Sequence, residues 1–263
     1  MVVFLLTIQC KHLATNNKQF GKSQDSIFLK MVSKIPPIKL PISFRRDLFM
    51  AQKDDGKSLG IYSYGIYSEN NIDSLFARNY ISNYDNFYPG DCYHYLKTYK
   101  LNDSVYIVIY TTEELDNSYG PIIIHSYNFS RSTKPIDKLV LYSYSKGSHQ
   151  LESYITNDWV IKSNFQISNH GICRDCSNQT PLIYVHIKNY KLNTNGKFEL
   201  IYWLDGESFG KLNEEGHFYL PDSALTTPYK EGKLIIQNSI KKYTHSLNHE
   251  RVYIDWKGDI IKK

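Results

Sequence analysis

The stretch "SVYIVIYTT", Ser104–Thr112, decides the fold. Val105, Ile107 and Ile109 recur at every second position, so in an extended chain they share one face. A period of two marks a half-buried β-strand; a helix would repeat its apolar residues every three or four. Four further runs follow: "GPIIIHSYN" (120–128), "KLVLYSYSKG" (138–147), "DWVIKSNFQI" (158–167) and "PLIYVHIKNYKL" (181–192). Asn, Asp, Gly and Ser separate them, as turns require. Strands at this spacing with no helical pattern between them predict a mostly-β fold, an antiparallel sandwich or a rolled meander.

Upstream of these strands one segment reads as a helix. In "NNIDSLFARNYI" the residues Ile72, Leu75, Phe76 and Tyr80 have helical spacing, with Asn71 or Asp73 as cap, predicting a short helix over 72–81. Pro89-Gly90 closes that region. Downstream, "NGKFEL" (195–200), "EGHFYL" (215–220), "EGKLII" (231–236) and "KGDII" (257–261) each set a glycine two residues before an apolar position. They read as consecutive hairpins with the glycine at positive φ. The spacing is too uneven for a repeat array. The implied organisation is a β-rich domain over 35–201 and a hairpin extension or small subdomain over 202–263, starting at Tyr202.

A chain of 263 residues is long enough to bury a sizeable core, and 41% hydrophobic against 22% charged residues is a folded composition. The 23 tyrosines suit pleated, half-buried surfaces. The formal charge of +5 is concentrated early: Lys11, Lys18, Lys22, Lys30, Lys34, Lys39, Arg45 and Arg46 face Asp25 alone. No nucleic-acid-binding aromatic signature or Cys/His finger spacing accompanies them, so nucleic acid is not an expected partner and a solvated tether is the simpler reading.

The chain opens "MVVFLLTIQCKH". An apolar run from Val2 to Ile8 ends at Cys10, and a polar stretch follows over 11–34. This resembles the end of a bacterial lipoprotein signal, in which the cysteine becomes the lipidated first residue. The run is short, no basic residue precedes it, and Gln9 replaces the customary small residue. An initiator upstream of Met1 would account for the first two departures. Residues 1–10 are then a remnant signal and 11–34 a tether. A buried first strand is the competing reading. No stretch reaches the roughly 20 apolar residues of a membrane-spanning helix. "KIPPIKLP" ends the tether, and Pro36, Pro37 and Pro41 force extended, edge-like backbone there.

Candidate chemistry is sparse. Gly206-Glu207-Ser208-Phe209-Gly210 spells GxSxG, and Asp222 with His245 or His249 follows in triad order. A nucleophile elbow needs a strand and then a helix, and "KLNEEGHFYLP" is not helical, so the pattern reads as chance. Trp203, Asp205 and Glu207 juxtapose a sugar-stacking ring with two carboxylates, the elements of a carbohydrate-binding or glycan-hydrolysing site. Against it, Asp205-Gly206 is a hairpin-turn dipeptide, and the turn is the preferred reading. His125 and His186 fall within strands as fillers. No phosphate loop or dinucleotide fingerprint is present.

Cys173 and Cys176 form a single CxxC in "HGICRDCSNQ" (170–179). With Cys92 and either His94 or His170 they offer four zinc ligands. In an exported protein a disulfide within the loop, or from it to Cys92, is simplest. Free thiols rank third. Redox catalysis ranks last, because the motif lies in a loop rather than at a helix N-terminus. No other cofactor is expected.

"CKH" (10–12) after an apolar run, "KIPPIKLPISF" (34–44), "PIDKLVLYS" (135–143), "YITNDWVIK" (154–162) and "YKLNTNGKFEL" (190–200) together resemble a loosely defined group of uncharacterised lipoproteins of the Bacteroidota. The resemblance covers roughly residues 10–200. It implies a β-rich fold and a cell-envelope location on the periplasmic or surface side, held by a lipid on Cys10. It supplies no catalytic residues. The expected function is a non-enzymatic, membrane-anchored module that binds another protein through a Tyr-rich β surface, one version being an immunity-type protein. The alternatives are the carbohydrate module at Trp203, Asp205 and Glu207, and a cytoplasmic zinc-bearing interaction protein.

Overall fold

A computed structural model describes residues 28–30, 32–45, 92–113, 119–128, 134–145, 149–168, 182–209, 222–250 and 252–261. The strand over Ser104–Thr112 forms as its alternation dictates: β3 (Val105–Glu113) turns Val105, Ile107 and Ile109 into the core. Before it come β1 (Ile42–Phe44) and β2 (Cys92–Lys100), and after it β4 (Tyr119–Asn128), β5 (Lys134–Ser145), β6 (His149–Ile155) and β7 (Val160–Ser168). The chain continues through β8 (Leu182–Leu192), β9 (Phe198–Phe209), β10 (Asp222–Gln237), β11 (Ile240–Asn248), β12 (Tyr253–Asp255) and β13 (Ile260–Ile261). From β2 to β10 every strand pairs antiparallel with its predecessor, so the expected meander is the architecture.

The meander rolls at β5. Its first part pairs with β4, from Lys134 to Tyr142, and its last three residues, Ser143–Ser145, pair with β6. The edge of β6 that β5 leaves is taken by β1, with Ile42 opposite Ile155 and Phe44 opposite Ser153. A strand that changes sheets makes the corner of a two-layer packing. Between the layers lie Phe44, Ile107, Ile109, Ile122, Ile124, Leu141, Ile155 and Ile161, none more than 1% exposed. Each such side chain contributes about 1.5–3 kcal/mol relative to remaining in water.

The β8–β9 hairpin locks the two layers together. Its turn, "NTNGK", closes with Gly196 at φ 86° and Gly196 N–H donating to Asn193 O at 2.9 Å. A Cβ on Gly196 would lie 2.6 Å from Ile136 Cδ1 and 3.1 Å from Val105 Cγ1, so the turn docks against the opposite layer. Ser126 Oγ donates to Gly196 O, and Phe198 N–H donates to the Asp137 carboxylate at 2.9 Å.

Two elements cover the outer faces. On one side residues 28–30 and Val32 are helical, and Phe28, assigned to the tether by its sequence, is fully buried against Tyr106 and Tyr127. The prolines after it run extended beside β2, as expected: Ile38 N–H donates to Thr98 O and Thr98 N–H to Pro36 O. On the other side β10 breaks its pairing with β9 between Thr226 and Lys230, around Pro228. Proline cannot donate to a ladder, and the bulge bends the strand. The first part of β10 and β12–β13 thereby fold back over Ile183, Val185, Ile187 and Leu204. Gly258, a turn glycine as expected (φ 83°), rests on Ile187, and Lys162 holds both oxygens of the Asp259 carboxylate at 2.7 Å. Above this flap Arg45 lies 4.2 Å from the Trp256 ring centroid, and Lys257 lies 4.2 Å from that of Tyr154.

Three expectations change. Asp205-Gly206 is no turn; both residues lie inside β9. A Cβ on Gly206 would lie 3.3 Å from Leu225 Cδ1 and from Tyr229 Cβ of the folded-back β10, the close-approach use of a strand glycine. Gly232 is likewise inside β10, whereas the turn of that hairpin is Asn238-Ser239, both at positive φ. Tyr202, where the extension was placed, is also mid-β9, paired with Asn189 on one side and Lys233 on the other. The helix expected over 72–81 lies outside the described residues.

Candidate functional site

Alternation places Trp203, Asp205 and Glu207 on one face of β9 and Leu204 on the other, buried one. Register then fixes their neighbours: Lys188 opposite Trp203, His186 opposite Asp205 and Tyr184 opposite Glu207. Phe165 of β7 follows opposite His186, and Leu151 of β6 follows opposite Phe165. The result is a half-exposed strip crossing four strands. His186 Nδ1 meets Asp205 Oδ1 at 2.7 Å, with 34% and 42% of the two side chains exposed. Phe165 lies between two imidazoles, its centroid 6.2 Å from His186 and 5.9 Å from His149. Two strand residues span about 7 Å, so the Asp205 and Glu207 positions are at a separation that suits paired carboxylates. Asp205, however, already holds His186. Ser208 of the GxSxG pattern is 1% exposed on the opposite face of a continuous strand, which rules out an elbow there.

Trp203 lies flat across β10. A Cβ on Gly232 would sit 2.1 Å from Trp203 Nε1 and 2.4 Å from Cε2, and the His245 ring is 5.6 Å away. Only glycine leaves room for the indole. Gly232→Ala should therefore displace the ring and cost about 1–2 kcal/mol, within the range for overpacking. Chemical denaturation with tryptophan emission as the probe reads both effects, and unchanged stability and emission would contradict the packing described.

The second feature is the far part of the β10–β11 hairpin. β10 pairs with β9 only as far as Lys233 opposite Tyr202, then continues four residues with β11 as its partner. Every β11 residue but Asn248 is exposed. Large apolar side chains are open to solvent here: Ile236 is 63% exposed, Ile240 69% and Leu247 52%, with Ile235 and Tyr243 each at 42%. Clustered exposure of this kind marks interaction surfaces. Lys230, Lys233, Lys241 and Lys242 stand among them against Glu231 alone. Lys241 is paired with the Glu199 carboxylate, which draws that carboxyl's pKa down, and Tyr243 OH donates to Leu200 O at 2.8 Å. These two contacts tie the hairpin to β9. Sequence reading missed the surface because "LIIQNSI" looks like any core strand. Its one signal was Asn-Ser, a tight two-residue turn, between isoleucines.

Cys10, Cys173, Cys176 and His170 lie outside the described residues. Cys92 and His94 fall on β2, their backbones opposite Glu113 and Thr111. No group of three or more metal-ligating side chains occurs among the described residues. The chain matches no known family model, and neither the curated proteins nor the solved structures contain a significant match to it.

Proposed function

We propose that this protein is a non-enzymatic binding module of the cell envelope, tethered through a lipid on Cys10, that docks another protein by its β10–β11 hairpin. The observation that carries the reading is the exposure of Ile236, Tyr243 and Leu247 on one face, and of Ile235 and Ile240 on the other, of a hairpin that two side-chain contacts tie to β9. A rigid apolar surface loses little conformational entropy on docking. The immunity-type role is one form of this reading. A photoreactive residue at position 236 or 243, introduced in the producing cells, is expected to crosslink to one protein, and one at Lys188 is not. Ile236→Asp with Ile240→Asp should abolish the adduct; adducts of equal yield at all three positions would refute the surface.

Export makes a second demand. Protein from an oxidising host should be two hydrogens lighter by intact mass, with Cys173 or Cys176 blocked to alkylation. One bound zinc and alkylatable thiols after denaturation would instead favour the cytoplasmic zinc-bearing reading. The carbohydrate alternative rests on Trp203, Asp205 and Glu207 sharing one face beside His186 and Phe165. A glycan screen that is blank and unmoved by Trp203→Ala removes it.

A further inference from the structure

β11 is an edge. It pairs with β10 along its whole length, Ile240 to Asn248, and along its other side among the described residues it pairs with no strand. In an antiparallel pair about half of a strand's N–H and C=O groups point away from the partner, so nine residues leave on the order of four of each. An edge of this length is a template for one more strand.

The side chains along the hairpin are sorted by face. Cross-strand pairing puts Leu234 with Tyr243 and Gly232 with His245, and Leu247 follows on the same face. That face also carries two cations, Lys241, which is already neutralised by Glu199, and Lys230 opposite Leu247. The opposite face pairs Lys233 with Thr244 and Ile235 with Lys242, and both lysines there are exposed. Along β11 itself the first face presents Tyr243 and Leu247, and the second presents Lys242, with Ile240 at its end and Lys233 one strand inward.

We propose that β11 receives an added strand from a partner protein, an extended segment whose side chains alternate between Asp or Glu and apolar residues. This rests on the protein-binding reading and specifies its chemistry. The apolar side chains of the segment lie beside Tyr243 and Leu247, and its carboxylates lie beside Lys242 and within reach of Lys233. Main-chain hydrogen bonds supply affinity in such additions, and the alternate side chains supply specificity. The same lysines select among edges. They repel a basic strand, including β11 of a second copy, and favour an acidic one.

The probe is a nine-residue peptide, acetyl-Glu-Val-Glu-Leu-Glu-Val-Glu-Leu-Glu-amide, titrated into the ¹⁵N-labelled full chain. Amide shifts are expected at 240–248 and along the face of Tyr243 and Leu247, with no change on the β2 edge. Lys233→Glu combined with Lys242→Glu should weaken binding by about tenfold or more, as removal of rim charges at an interface does. Both positions are exposed, so the fold is retained, which the unchanged spectrum of β3 and β4 verifies. The reversed variant should in turn bind the peptide with Lys in place of Glu. N-methylation of alternate peptide residues should abolish binding, because it removes the ladder donors. Absence of shifts at 240–248 at millimolar peptide, or binding indifferent to charge reversal, overturns the proposal. Sedimentation with phosphatidylglycerol vesicles that is lost in Ile236→Asp and Ile240→Asp, with the peptide inert, assigns the hairpin to a membrane surface and also overturns it. Position-specific crosslinking to a protein with the peptide inert would overturn strand addition while leaving the binding-module reading in place.

Discussion

Phe28→Ala is expected to destabilise the protein by about 3–5 kcal/mol, the usual cost of emptying a buried phenylalanine site. Phe28 has no solvent exposure, and its ring meets Tyr106 edge-on at 5.7 Å and Tyr127 at 5.5 Å. Tyr106 and Tyr127 share their face of the sheet with Val108, Tyr110 and His125, all nearly inaccessible. For a domain of this size about 3 kcal/mol lowers the melting temperature by roughly 6–12 °C. Calorimetry of wild type and variant reads the shift directly. Truncation before Phe28 should be mild, whereas truncation after Val32 should reproduce the loss. A melting temperature unmoved by Phe28→Ala would return residues 28–34 to the tether.

The second large effect is acid destabilisation through His125. Its imidazole is 1% exposed, and Nδ1 is hydrogen-bonded with Tyr127 OH at 3.1 Å and Tyr110 OH at 3.3 Å. Burial, with Lys138 opposite it on β5 adding in the same direction, brings the pKa down to about 4. In the unfolded chain the same group titrates near 6.5. The folded value is the lower one, so the unfolded chain binds the proton first as pH falls. The contribution is complete above about pH 6.5 and is lost between there and about pH 4, reaching about 2.5 kcal/mol by pH 4.5. His125→Phe should show a correspondingly shallower decline over that window in urea titrations at fixed pH. Carboxylate effects are common to both proteins and cancel in the comparison. Parallel declines would mean that His125 is charged, or wetter than its surroundings imply.

Strand identity was legible where alternation was strong. Val105, Ile107 and Ile109, or Ile183, Val185 and Ile187, cannot all be buried except on one face of an extended chain. Gly196 and Gly258 were legible as turns because each follows polar residues that close a local hydrogen bond. Gly206 and Gly232 have equally plausible turn neighbours. They are small for another reason: Leu225 and Tyr229 press on one and the Trp203 indole lies over the other, contacts made by a neighbouring strand. Phe28 failed similarly. It stands in a short apolar run, Ile27-Phe28-Leu29 with Met31 and Val32, that is too brief to show a period, and its burial depends on Tyr106 and Tyr127, far along the chain.

The candidate surface divides the same way. That Trp203, Asp205 and Glu207 share a face follows from spacing alone once β9 is a strand. That His186 holds Asp205, and that Phe165 stands next in the row, required the register of three strands. The sequence by itself determined a mostly-β chain, an antiparallel meander and the turns at Gly196 and Gly258, because period-two burial and positive-φ glycines are short-range demands. The tertiary structure alone decided where the meander rolls, which glycines mark close approach, and which isoleucines stay in water. Ile109 and Ile236 sit in near-identical apolar runs. One is covered because β5 changes sheets and brings a second layer over it, and the other is exposed because β10 outruns β9.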